Sequence, residues 1–363
     1  MPALFVGLMS GTSLDGIDAV LADCSAPLPR ILAADHVPFA AGLRAALVDL
    51  HTPASGELHH AARIAITLSR AYADSVARTL AHAGVERHAV RAIGCHGQTV
   101  RHRPADGYTV QLVNGAWLTE LTGITTVCDF RSRDLAAGGQ GAPLVPAFHA
   151  CAFRAREEHR AIVNVGGIAN VTDLALDGTV TGFDCGPGNA LMDAWIAAQQ
   201  SVPYDRDGAW AASGNVLPPL LERLRAHPFF GMPPPKSAGR EQFNLEWVHS
   251  LLAGGERPQD VQATLLELTV HGIAGAIDRH CTGAGSVWLC GGGARNAALV
   301  SRLATALAPR PVATTEALGV APEYVEALAF AWLAQRTLAG EPGNVPAVTG
   351  ARGPRVLGAI YPA

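Results

Sequence analysis

The stretch LFVGLMSGTSLDGIDAVLADC, residues 4–24, sets an apolar run against a short turn of small and hydroxyl-bearing residues, and a second apolar run comes at once after it. Residues 4–8 read as a strand. Residues 17–24 read as another, too short for a helix and closed by Ser25-Ala26-Pro27. The second strand limits the ligands that the turn can hold. A Walker-type loop needs G-x-x-x-x-G-K-[ST] leading into a helix, and here the lysine is missing and a strand comes next. A dinucleotide fingerprint needs G-x-G-x-x-G opening a helix, which is missing too. Two readings remain. Ser10, Gly11, Thr12 and Ser13 wrap a terminal phosphate with N–H groups and hydroxyls, with Asp15 or Asp18 near a metal. Otherwise the segment is a plain hairpin loop made of ordinary turn residues.

Working outward, residues 30–39 predict a third strand. Ile64, Leu68, Tyr72, Val76 and Leu80 recur every four residues and predict a long helix. VRAIGCHGQT, YTVQLV and ITTVCDF read as further strands. Residues 131–144, RSRDLAAGGQGAPL, form a Gly-rich crossing without periodicity. The pattern then restarts with strand RAIVNVGG, strand IANVTDLAL, an Asp177-Gly178 turn and strand TVTGFDCG. Leu266, Val270, Ile273 and Ile277 mark one helix face, and SVWLCGGGARN is a strand running into a glycine turn. Val325, Leu328, Ala329, Trp332 and Leu333 line a last helix, with RVLGAIYPA as an edge strand. Strand–turn–strand openings near Leu4 and Ile162 form an internal repeat of pattern rather than identity. Two similar mixed-sheet α/β halves around a cleft are expected. The Pro-rich PFFGMPPPKSAGREQF, bracketed by helices, reads as an ordered flap.

Composition narrows the partners. The chain has 363 residues, 49% hydrophobic and 16% charged, with a net charge of −4, so nothing electrostatic argues for nucleic acid or an anionic membrane. Seven cysteines without a C-x-x-C pair, mostly beside apolar residues, read as buried thiols of a reducing compartment. With no basic leader and no apolar run of about 18 residues, a soluble cytoplasmic protein is expected.

Several residues have chemistry to offer. Asn164–Asp173 (NVGGIANVTD) repeats the opening turn, with Gly166, Gly167 and Asn170 beside it. Gly291, Gly292 and Gly293 let a flat ligand lie against the backbone between a strand and a helix. Asp184 ends a strand before Gly186-Pro187-Gly188 and reads as a general base facing a cleft or as a solvated loop carboxylate. Asn189 reads as a helix cap. His96 sits beside glycine within reach of a ligand; Cys95, His96 and His102 fit no usual zinc spacing. Arg131 and Arg133 come after a strand end, where they clamp a carboxylate or lie exposed. Glu326 lies beside an apolar stripe, toward a cleft or toward solvent.

The order of two strand–turn–strand loops and then strand–GGG–helix resembles the superfamily of actin, heat-shock chaperones and sugar kinases, and points to ATP. GLMSGTSLDGID, CHGQT, DFRSRDLAAGGQGAPLVP, NVGGIANVT, FDCGPGN, PPPKSAGRE, CGGGARN and EALAFAWLA, in this order across essentially the whole chain, resemble the anhydro-N-acetylmuramic acid kinase family. The resemblance implies an actin-like, ribonuclease H-like fold. Residues 1–130 with 342–363 would form the half with the first phosphate loop, and 131–341 the half with the second loop, the catalytic aspartate and the adenosine loop. It implies ATP-dependent phosphorylation of O6 of 1,6-anhydro-N-acetylmuramic acid with hydrolytic opening of the anhydro ring, giving N-acetylmuramic acid 6-phosphate and ADP in peptidoglycan recycling. Asp184 would be the base. Gly11, Thr12, Ser13, Leu14, Asp15, Gly16, Ile17 and Asp18 would hold the phosphates, with Gly166, Gly167, Asn170 and Gly291–Gly293 also on the nucleotide. Arg131, Glu326, Gln98 and His96 would contact the sugar. Mg²⁺ and a homodimer are implied as well. Where many superfamily members carry aspartates, this chain has Met9-Ser10 and Asn164, so the Mg²⁺ ligands stay open among Asp15, Asp18 and Asp184. The rival readings are a kinase for a different sugar and an ATP-switched binding module.

Overall fold

In the computed structural model, residues 2–11, 13–52, 54–239 and 242–363 are described. β1 (Leu4–Met9) is buried along its length and pairs antiparallel with β2 (Gly16–Asp23), Met9 opposite Asp18. The opening turn is therefore a hairpin connection. β3 (Arg30–Pro38) extends the meander, and β4 (Val90–Cys95) and β7 (Thr126–Cys128) add in parallel on the other side of β1. β13 (Ala359–Tyr361) closes that edge antiparallel, as the terminal pattern predicts, giving the order β13-β7-β4-β1-β2-β3. β5 (Gln98–Arg103) and β6 (Tyr108–Leu112) form a separate ribbon. Helix Glu57–Ala83 buries Leu68, Tyr72, Val76 and Leu80 in one core with Val6, Leu8 and Ile93, and ends on Gly84 in the left-handed region.

The second sheet has the order β10-β9-β8-β11-β12, built from β8 (Arg160–Val165), β9 (Ile168–Leu174), β10 (Val180–Pro187), β11 (Ser286–Cys290) and β12 (Val312–Thr314). β8–β10 form an antiparallel meander, and β11 and β12 run parallel to β8. Counting strands within each sheet, both read third, second, first, fourth, fifth, the first sheet adding only β13. The repeat visible in pattern is thus a repeat of topology. Helix Pro258–His280 is buried on most of its surface, with Leu266, Val270, Ile273 and Ile277 in the core.

The chain divides into Met1–Ala152 with Tyr324–Ala363, and Phe153–Glu323. Both joints differ from the expected 130/131 and 341/342. Helix Val325–Leu338 packs on β1 and β4 of the first unit, because Gly7 and Gly94 let it come close. A Cβ on either glycine would overlap the carbonyl of Ala327 or Phe330. The crossing at residues 131–144 contains a short helix, Ser132–Ala136, too brief to leave a periodic signal. In the Pro-rich segment, Phe229, Lys236 and Phe243 are buried, as an ordered flap requires; Arg240 and Glu241 lie outside the described residues.

Candidate active site

In the first unit the hairpin turn is pinned from below. Ser10 is buried, and its hydroxyl pairs with that of the fully buried Tyr72 at 2.6 Å and reaches the Gly97 carbonyl at 3.4 Å. Gln98 Nε2 donates to the Gly11 carbonyl at 3.1 Å, and Arg44 Nε to that of Leu14. Leu14 anchors the far side: it is buried although its φ is +57°, a conformation non-glycine residues adopt only when packing demands it. Asp15 is exposed, its Oδ1 accepting from Ser13 Oγ at 2.7 Å and from the Gly16 N–H at 3.0 Å. Asp18 Oδ1 meets His36 Nδ1 at 2.8 Å, and this bond raises the imidazole's pKa. Thr12 lies outside the described residues.

His96 and Arg131, 35 residues apart in sequence, form one unit of the site. The guanidinium donates to His96 Nε2 from Nε at 3.2 Å and from a terminal nitrogen at 2.9 Å, and to the Gly141 carbonyl at 2.7 Å. A ring nitrogen that accepts carries no proton, so His96 holds its proton on Nδ1. Burial, and next the Arg131 charge, push the His96 pKa well down, so the ring stays neutral. The His96 proton faces the Gly97 and Ser10 backbone, whereas Gln98 Oε1 is buried with no hydrogen-bond partner among the described residues, an acceptor left for something else. Phe330 lies 4.8 Å from the His96 ring. Glu326 precedes it by one helical turn, on the same face of helix Val325–Leu338 and half-buried. Gln98, His96, Arg131 and Glu326 thus all belong to the first unit.

In the second unit three glycine segments meet. The N–H groups of Gly188 and Ala190 donate to the Gly167 carbonyl, and that of Asn189 to Gly166, which ties the end of β10 to the β8–β9 turn. Gly188 is required there because a Cβ would overlap the Gly166 carbonyl. Gly291 (φ +80°) and Gly293 press against Asn164 and Val165 for the same reason, whereas Gly292 is exposed and open. Asn189 does start helix Ala190–Gln200, but its side chain donates to the Val165 carbonyl at 3.2 Å instead of capping.

Register lines up Asp184 (β10), Asn170 (β9), Asn164 (β8) and Cys290 (β11) in one row across the sheet. A bulge comes directly after Asp184, and the carboxylate is half-buried. The flap clasps it: the Asp184 N–H donates to the Lys236 carbonyl at 3.1 Å, and Asp184 Oδ2 accepts from the Ala238 N–H at 2.8 Å. Lys236 is itself anchored. Its ammonium donates to the Phe229 carbonyl at 3.1 Å and lies 4.5 Å from the centre of that ring, and burial lowers its pKa. Burial also raises the thiols of Cys95, Cys185 and Cys281, which are poor nucleophiles.

Sequence reasoning missed three contributors: Tyr72 as the partner of Ser10, the residue 236–238 clasp on Asp184, and Asp134 under the Arg131 loop. A carboxylate amid the glycines of RSRDLAAGGQG was the available signal for the last. No group of three or more His, Cys, Asp or Glu among the described residues is arranged to hold a metal. Among the described residues, no helix is long and apolar enough to cross a membrane.

Two sheets of one strand order, each with a loop between its first two strands, and a triple-glycine turn after the fourth strand of the second define an actin-like ATPase fold, the class that includes sugar kinases. The particular family is set by the whole chain. It belongs to the anhydro-N-acetylmuramic acid kinase family, whose sequence profile matches residues 3–363, and is a phosphotransferase with an alcohol group as acceptor. The anhydro-N-acetylmuramic acid kinases of Nitrosospira multiformis and Nitrosomonas europaea are 57% and 54% identical to it, each match covering 99% of both chains. Among solved structures, (R)-2-hydroxyglutaryl-CoA dehydratase component A of Acidaminococcus fermentans superposes with a TM-score of 0.49 at 14% identity, covering 91% of this chain and 96% of that one.

Proposed function

We propose that the chain transfers the γ-phosphoryl group of ATP to O6 of 1,6-anhydro-N-acetylmuramic acid while water opens the anhydro bridge at C1, giving N-acetylmuramic acid 6-phosphate and ADP. The observation that carries this is Asp184, held by the flap through two backbone contacts beside the joined glycine turns. Family membership and close relatives of that name support the substrate. Asp184 accepts a proton from water as the water oxygen bonds C1. The C1–O6 bond breaks, O6 bonds phosphorus, and the bond to the ADP oxygen breaks. The developing charge on O6 is taken up by the phosphoryl group, so no second carboxyl group is needed as an acid, unlike ordinary glycoside hydrolysis. The N–H groups of the 11–18 turn, of Gly166-Gly167 and of Gly291–Gly293 orient the nucleotide, and transfer depends on positioning. His96, Gln98, Arg131 and Glu326 hold the sugar, with its lactyl carboxylate on Arg131.

Mg²⁺ supplies charge neutralisation to the phosphates when bound. It needs only one or two protein oxygens besides phosphate and water, so a three-carboxylate cluster is not required. Asn170 Oδ1, buried without a hydrogen-bond partner among the described residues, and the neighbouring Asp184 suit such an ion; Asp15 and Asp18 are the other candidates. A reducing cytoplasm accords with seven cysteines that are all thiols, six of them buried. Peptidoglycan recycling and a homodimer rest on the family resemblance. Turnover in ¹⁸O-water tests the reading. Label at C1 of a phosphorylated product is expected. Phosphorylation of a sugar without ring opening would make the chain a kinase for a different substrate, and ATP hydrolysis indifferent to sugar would make it a nucleotide-switched binding module.

A further inference from the structure

Asp134 is 0% exposed, and among the described residues no Lys, Arg or His forms an ion pair with it. Its Oδ2 accepts from the Gly141 N–H at 2.8 Å. Its Oδ1 accepts from Asn344 Nδ2 at 2.7 Å and from Thr349 Oγ1 at 2.8 Å. The loop is folded tightly on this carboxylate. Gly141 has φ +67°, and a Cβ at Gly139 would overlap Asp134 Oδ2. Burying a carboxylate is costly, and here three neutral donors are committed to offsetting that cost. What it does achieve is placement. Gly141, fixed through its N–H by Asp134, offers its carbonyl to Arg131 at 2.7 Å, and the other edge of the same guanidinium is held on His96 Nε2.

We propose that Asp134 is the positioning residue of Arg131: by fixing Gly141 it sets the guanidinium and thereby the affinity for the anionic sugar, without touching the sugar. This rests on reading Arg131 as a sugar contact. Asp134→Asn puts an NH₂ group against the Gly141 N–H or, in the other rotamer, against the Asn344 and Thr349 donors, so one side of the network is lost.

The test is calorimetric binding of 1,6-anhydro-N-acetylmuramic acid to the full chain, together with kcat and the KM for ATP. Asp134→Asn is expected to weaken sugar binding about tenfold while leaving the KM for ATP unchanged. Thr349→Val, which removes one donor, is expected to act in the same direction by about threefold. In an Arg131→Gln background Asp134→Asn should add nothing further, a non-additivity that a purely structural role would not produce. If Arg131→Gln itself leaves sugar affinity intact, the reading of Arg131 fails and the proposal with it. If Arg131→Gln weakens the sugar but neither Asp134→Asn nor Thr349→Val does, the positioning role alone is overturned. Equal losses for sugar and ATP, or failure of both variants to fold by circular dichroism, would assign Asp134 to stability and overturn it as well.

Discussion

At the scale of single residues, the site is a set of polar groups whose freedom has been removed by neighbours. Asp184 shows this most directly. Its N–H and one carboxylate oxygen are both bound to the flap, so its remaining lone pairs point in fixed directions. Asp184→Asn keeps the shape and a carbonyl oxygen for the Ala238 N–H but removes the proposed base. Turnover should fall by at least about a hundredfold with sugar and nucleotide affinities within a few fold; weakened binding with intact turnover would refute the assignment. Asp184, His96 and Arg131 were legible in sequence because each is a reactive side chain beside glycine or a strand end, a local signal. Asp134 was not. Two of its three partners lie 210 and 215 residues away, and no local pattern announces such a contact.

At the scale of elements, glycine decides where loops meet. The turns at 166–167, 188–189 and 291–293 were readable as glycine-rich, yet their convergence depends on contacts between strands far apart in sequence. Gly188 is the tightest point, with its own N–H on Gly167 and no room for a side chain against Gly166. Gly188→Ala should push the β10 end off the β8–β9 turn. We expect a KM for ATP raised about tenfold or more and a stability loss of about 1–3 kcal/mol by denaturant unfolding, with sugar affinity unchanged. An unaltered KM for ATP would separate this junction from nucleotide binding. The opening hairpin is the counter-case. Its short apolar runs and missing lysine gave the strand–turn–strand correctly, whereas its anchoring by Tyr72 required the helix Glu57–Ala83 to be placed on the sheet.

At the scale of the whole molecule, two strand–turn–strand openings were visible as pattern, but neither the shared strand order nor where one unit ends. That boundary depends on Gly7 and Gly94 drawing helix Val325–Leu338 onto the first sheet, a fit that hydrophobic periodicity does not encode. The division has a consequence for pH. His96, His102 and His149 all belong to the first unit, and burial depresses all three: His149 to about 3, His102 to about 4, and His96 well below its ordinary 6.5. Unfolded histidines near pKa 6.5 take up protons that these refuse, so their stabilising contribution is complete above pH 6.5 and is lost as pH falls through the folded values. The slope approaches about 1.4 kcal/mol per pH unit for each fully buried histidine. The His36–Asp18 pair works in the opposite sense: His36 is raised, so its contribution is present below pH 6.5 and fades as pH rises through the folded value, but half-exposure keeps it small. Urea unfolding at pH 7 and pH 5 should therefore show a clear loss of stability in acid. Burial also lowers His227, His271 and His280 of the second unit, but these are only partly buried, so the loss should fall mainly on the first unit, whose amides in hydrogen exchange lose protection before those of residues 160–320. Carboxylates lowered by their partners, such as Asp23 and Asp35, release stability only below about pH 4 and cannot mimic a loss already present at pH 5. Equal stability at the two pH values would mean that the buried histidines are protonated in the native protein, and the neutral His96 on which the Arg131 contact depends would fall with it.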